Sequence, residues 1–192
     1  MRASPRVRLV GVTEKPPVVF RAPEHRAAVQ LDPVCVSCTS PEDDPLTFAV
    51  SQFWKVVLHP DQSVPGALLL VSLRHVAKVG ELDEREALEF FALYRLIEAA
   101  LENELGASMV NVSCLRNWAY REDNADPPWL DGRPNPHVHW HVAPRYARPV
   151  AIAGDRFVDG QFGEELIWRG ERVGRDVQRE IIDRLSVHLG LQ

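Results

Sequence analysis

His137, His139 and His141 alternate along the run Asn135-Pro-His-Val-His-Trp-His-Val-Ala-Pro-Arg-Tyr146, with apolar Val138, Trp140, Val142 and Ala143 between and after them. Strand side chains point alternately to opposite faces, so this spacing turns three imidazoles to one side and the apolar residues to the core. Three readings are open. The rings can be satisfied polar residues, although three in register arise rarely by chance in a chain with 7 histidines. They can bind a metal, since imidazole suits zinc, iron, nickel and copper. At about 3.3 Å per residue the row spans about 13 Å, so one ion with bonds near 2 Å takes two of them with help from elsewhere. Or one ring can attack phosphorus. Imidazole is neutral near pH 7 and leaves phosphorus readily, while flanking groups fix its tautomer and steady the phosphoryl oxygens.

A second chemical pair is Cys35 and Cys38, in a C-x-x-C spacing. In a reducing compartment that spacing reads as metal or redox. Cys114 sits in an apolar run and reads as core. The 192 residues, 45% hydrophobic and 26% charged, are ordinary for a globular chain. They suit one domain with an extended terminus, or at most two small ones. A net charge of −5 without a Lys/Arg-rich run argues against a nucleic-acid partner. No apolar run is long enough to cross a bilayer, and none of signal-peptide length follows the basic N-terminus. No membrane partner is expected, and the expected location is cytoplasmic.

The elements that must hold these residues follow from periodicity. Residues 1–33 are Pro- and Arg-rich and read as an irregular arm; 34–192 read as the domain with a C-terminal extension. Phe53 to Leu58 and Ala67 to Ser72 read as strands, joined antiparallel through a Pro/Gly connection. Leu82 to Leu105 reads as a long helix, with an Asp83/Glu86 capping box, an apolar stripe and Gly106 after its end. Met109 to Leu115 reads as a strand, Asn117 to Pro136 as a polar, proline-rich loop, and the histidine run as the next strand. Residues from about Gly174 to Leu189 read as an amphipathic helix. The expected class is α+β: a mostly antiparallel sheet, a long helix after the second strand, and a C-terminal helix.

The run His137-Val-His139-Trp-His141-Val-Ala, continuing into Pro144-Arg-Tyr146, resembles the histidine-triad signature, in which histidines alternate with apolar residues. Cys35-Val-Ser-Cys38, the stretch Gly66 to Val76 and the helix opening at Leu82 follow that family's order of elements, so the resemblance covers roughly Cys35 to Tyr146. It implies a nucleotide hydrolase or nucleotidyl transferase acting at the α-phosphorus, without a redox cofactor and often as a homodimer. Its substrates would be adenosine polyphosphates, nucleoside phosphoramidates and other adenylylated compounds. His139 would be the nucleophile that carries the nucleotidyl group, flanked by His137 and His141. Arg133 falls where the family has a glutamine before the triad, and Asn117 resembles its phosphate- or ribose-side asparagine. The ribose-holding carboxylate falls near His59, with Asp61 two residues on. The resemblance also implies a structural zinc on Cys35, Cys38, His75 and His137, as in some members and in galactose-1-phosphate uridylyltransferases. The contrasting reading is a zinc-containing protein that binds a nucleotide without turning it over.

Overall fold

The structure is a computed structural model and describes residues 18–20, 31–40 and 44–191. Most of the irregular arm expected over residues 1–33 lies outside them. In chain order the elements are α1 (Val36–Thr39), β1 (Thr47–Val50), β2 (Trp54–Leu58), β3 (Leu68–Ser72), α2 (Glu84–Leu105), β4 (Met109–Ser113), β5 (His139–Arg145), β6 (Val150–Ile152), β7 (Asp155–Phe157) and α3 (Arg175–Leu189). The five-stranded sheet runs β1-β2-β3-β5-β4, and every pairing in it is antiparallel. The α+β class stands.

The two strands read ahead of the long helix are β2 and β3. A further strand, β1, precedes them and packs at the sheet edge beside β2. It starts after Asp44, whose carboxylate accepts the Leu46 backbone N–H at 3.1 Å. Four residues behind a polar loop carry too little alternation to announce a strand. The β6–β7 hairpin also went unread, because Ala153-Gly154 makes its turn with both residues at positive φ, in place of the usual Asn-Gly.

Register decides the faces. Leu70 pairs with Trp140 and Leu68 with Val142, while Leu69 pairs with His141 and Val71 with His139. Directly opposite residues share a face. The first group, with Trp54, Val56 and Leu58, meets Phe90, Leu93, Ile97 and Leu101 of α2 and Val177, Ile181 and Leu185 of α3. The helices cover one face, and His139 and His141 stand on the other.

Two joints align the long helix with the site. Asp83 and Glu86 exchange backbone-to-carboxylate hydrogen bonds, both at 2.8 Å, and Glu86 also pairs with Arg74 at 2.8 and 2.7 Å. The helix start thereby grips the residue before His75. At the other end Gly106, in the left-handed region at φ 75°, closes α2. Gly66, at φ +85°, turns the chain into β3. A methyl group there would meet Leu105 Cδ1 at 2.5 Å, so the turn has no room for a side chain.

Candidate active site and metal centre

The three histidines do not form one row. β5 begins at His139, and His137 lies in the extended stretch just before it. The His137 ring is buried among Cys35, Cys38 and His75, apart from the other two. Its Nδ1 lies 3.4 Å from each sulfur and 3.2 Å from His75 Nδ1; the Cys38 sulfur is 3.3 Å from His75 Nδ1. The four residues named from the cysteine spacing and the resemblance are therefore together.

Hydrogen bonds fix where the protons of these rings sit. His137 Nε2 is 2.8 Å from the Ser72 carbonyl, which can only accept, so Nε2 carries the proton and Nδ1 is a lone pair. Asn135 donates its amide to the Asp32 carboxylate at 3.0 Å, so its oxygen faces His75 Nε2, also at 3.0 Å. His75 Nδ1 is then a lone pair as well. Two lone pairs 3.2 Å apart repel unless a cation lies between them. The ligand atoms all lie within 4.8 Å of one another, and tetrahedral zinc with Zn–S near 2.3 Å and Zn–N near 2.0 Å needs about 3.3–3.8 Å between them. The residues fit a Cys₂His₂ metal. The two neighbouring sulfurs drive each other's acidity in opposite directions, the Cys38 thiol well below its ordinary range and Cys35 above it. A thiolate in the cluster is the form a metal binds.

Local sequence builds this centre. Cys35 opens α1, a single turn that brings both sulfurs to one side. Lys55 on β2 donates to the Ser37 carbonyl at 2.8 Å and pins that turn to the sheet. Ser72, Asn135 and Asp32, which orient the ligands, were not read from the sequence. Nothing in their local pattern marks them, since each acts on a residue far along the chain.

On β5, His139 Nδ1 lies 2.8 Å from the His137 carbonyl and donates to it. The Nε2 of His139 is then the lone pair. Burial lowers its pKa, so the ring is neutral. The His141 ring stands beside it, centroids 5.0 Å apart. His141 Nδ1 bonds His59 Nε2 at 3.1 Å. Burial depresses both of these rings too, His59 to about 4 and His141 to about 3. The position that resemblance gave to a ribose carboxylate is thus an imidazole joined to the triad. The nearby Asp61 carboxylate is occupied by the N–H groups of Ser63, Gly170 and Glu171.

Those last contacts belong to a strap, residues 158–171, that crosses the histidine face. One end is tied by Arg145, whose guanidinium bonds Asp159 at 2.7 and 3.1 Å and the Glu164 carbonyl at 2.9 Å; it also reaches the Gln161 carbonyl. The other end sits on Asp61. Between them Leu166 and Trp168 pack on the small residues Ala67 and Ala143. The Trp168 ring stacks on His59, centroids 4.5 Å apart and 17° from parallel. Composition gave no sign of Trp168.

Asn117 starts a short turn, Asn117–Tyr120, and is exposed; Arg133 is exposed in the turn that pairs it with Leu130. Neither side chain is hydrogen-bonded to the triad. Asn111 and Ser113 of β4 pair with Ala143 and His141 and so share the histidine face, where Ala143 also lies, two residues on from His141, rather than toward the helix-covered core. Strand alternation across Met109–Ser113 was the signal that could have found them.

Known structures share this architecture. The fold matches a hypothetical histidine triad nucleotide-binding protein from Sulfolobus tokodaii (12% identity, TM-score 0.52, 76% of this chain and 84% of that one). It matches a zinc-bound histidine triad family protein from Mycobacterium smegmatis (17%, TM-score 0.53, 82% and 97%). It also matches a uridylyltransferase (16%, TM-score 0.55, 82% of this chain but 45% of the larger one). Scans against protein-family models and curated proteins found no match. The chain has the histidine-triad fold, and it carries that fold's signature at His137, His139 and His141.

Proposed function

We propose that this protein is a nucleotide hydrolase or nucleotidyl transferase that works through a covalent nucleotidyl-His139 intermediate. The observation that carries the reading is the 2.8 Å bond from His139 Nδ1 to the His137 carbonyl. It leaves Nε2 as a lone pair on a neutral ring, the form that attacks phosphorus. In the reaction Nε2 bonds the α-phosphorus of a nucleotide and the bond to the leaving group breaks. Water, or another acceptor, then attacks that phosphorus, loses a proton and frees His139. His141 serves as a donor to the phosphoryl oxygens. His137 supports the nucleophile through its carbonyl, while its own ring holds metal. Asn111 and Ser113, on the same face, join Asn117 and Arg133 as candidate nucleotide contacts.

Zinc on Cys35, Cys38, His75 and His137 would be structural: four protein ligands leave no open position. The opposed lone pairs and the zinc-bound neighbour of like fold support it. Thiol ligands suit a reducing compartment such as the cytoplasm. A homodimer is also proposed, since β4 is a sheet edge with Met109 and Val112 exposed at 40% and 38%.

The test offers the zinc-loaded protein a diadenosine polyphosphate and an adenosine phosphoramidate and measures AMP. Wild type releases AMP; His139→Asn lowers release by about a thousandfold or more while binding persists. Binding without turnover by wild type would instead establish a nucleotide-binding protein. Passage of the nucleotide to added phosphate or alcohol in preference to water would mark a transferase.

A further inference from the structure

His141 can steady a phosphoryl oxygen only if its proton sits on the nitrogen remote from His59. The geometry around His59 bears on that choice. The ring of His59 is held from two sides: Trp168 stacks on its face, and the Asp61 backbone meets its Nδ1. Both the N–H and the carbonyl of Asp61 lie 2.9 Å from Nδ1. Only one of these bonds can exist at a time. If Nδ1 donated to the carbonyl, the Asp61 N–H would lose its acceptor. A backbone N–H left without a partner is rarer and costlier than a carbonyl with a spare lone pair, and this one is half-buried. Nδ1 therefore accepts from Asp61, and the proton of neutral His59 lies on Nε2.

We propose that His59, clamped between Trp168 and the Asp61 backbone, is a positioning residue that holds His141 in the tautomer with its proton on Nε2. His59 Nε2–H donates to His141 Nδ1 across 3.1 Å. A nitrogen that accepts cannot carry the proton, so His141 keeps it on Nε2. The inference deepens the nucleotidyl-transfer reading and rests on it. It also gives the strap a purpose. Asp61 receives the backbone of Gly170 and Glu171, and Ser63 Oγ accepts from Arg169 N at 2.9 Å. These bonds set Trp168 against His59. A segment beyond the triad strand thereby reaches the donor through two rings.

The experiment follows the ring nitrogens of the full-length, zinc-loaded protein by ¹⁵N NMR, beside turnover of a diadenosine polyphosphate. In wild type His141 shows one tautomer, protonated on Nε2. In His59→Ala the two tautomers mix, and kcat falls about a hundredfold while KM stays within a few-fold. His59→Gln keeps the size and a side-chain N–H. It retains the wild-type tautomer and restores kcat to within about tenfold of wild type. A His141 spectrum unchanged in His59→Ala overturns the proposal, as does a wild type protonated on Nδ1. The spectrum needs no substrate. Failure of turnover in wild type therefore speaks against the enzyme reading, and a wrong tautomer speaks against His59.

Discussion

His59 is a histidine kept neutral by its surroundings. Burial pushes its pKa from 6.5 down to about 4, outweighing the Asp61 carbonyl and carboxylate that favour the charged form. The sign of the consequence is fixed by linkage. Below pH 6.5 the unfolded chain takes up a proton at this residue; the folded protein does not until about 4. The depressed folded value makes stability complete above 6.5 and progressively lost as pH falls through that window. His141, lowered to about 3 by burial, acts in the same direction. The urea midpoint should therefore drop between pH 6.5 and 4.5, and drop less in His59→Gln, which has no proton to gain. Equal slopes for the two proteins would show that His59 contributes nothing to acid sensitivity.

α1 is an element of four residues with one buried side chain, that of Cys38. Its own hydrogen bonds cannot hold it, since one helical turn is below the length that persists unaided. The cluster and Lys55 must do so. Metal bound to the folded state stabilises it by about 4 kcal/mol when free ion exceeds Kd a thousandfold. A chelator should lower the thermal midpoint of wild type, and metal analysis of Cys35→Ser should find the ion lost. A chelator that leaves the midpoint unmoved would remove the metal from this account. The same element shows what sequence can and cannot disclose. Cys35, Cys38 and the triad were legible because alternation and a two-residue gap are local patterns. α2 was legible because its stripe and caps repeat over many turns. β1, α1 and the β6–β7 hairpin are too short to carry a period. Ser72, Asn135 and Trp168 act across 60 to 109 residues of chain on His137, His75 and His59; only folding puts them in place. Asn117 and Arg133 were named from the resemblance, and the exposed turns that carry them have no period of their own to mark a role.

At the scale of the molecule the sheet has two edges, β1 and β4. β4 lies largely exposed, with polar Asn111 and Ser113 toward the histidine face and apolar Val112 toward the other. An unpaired edge invites another strand, and lysine placed on it discourages pairing. The proposed dimer, joined through β4, should sediment at twice the 21.7 kDa chain mass. Val112→Lys should shift it to monomer at concentrations where wild type is dimeric. A wild type that sediments as monomer at every concentration would discard the dimer.

The strap has a further consequence, in time. During synthesis β2, β3 and β5 emerge and can pair before residues 158–171 exist. At that stage His139 and His141 are exposed on a sheet face without Trp168, and Arg145 has no Asp159 to receive its charge. Asp159 then neutralises Arg145 in a pair whose side chains are 1% and 2% exposed, and Trp168 comes down on His59. Chains emerge N-terminus first, so the histidine face is made early and finished late. A nascent chain stalled at residue 150 would hold every histidine of the site and still lack the wall that organises them.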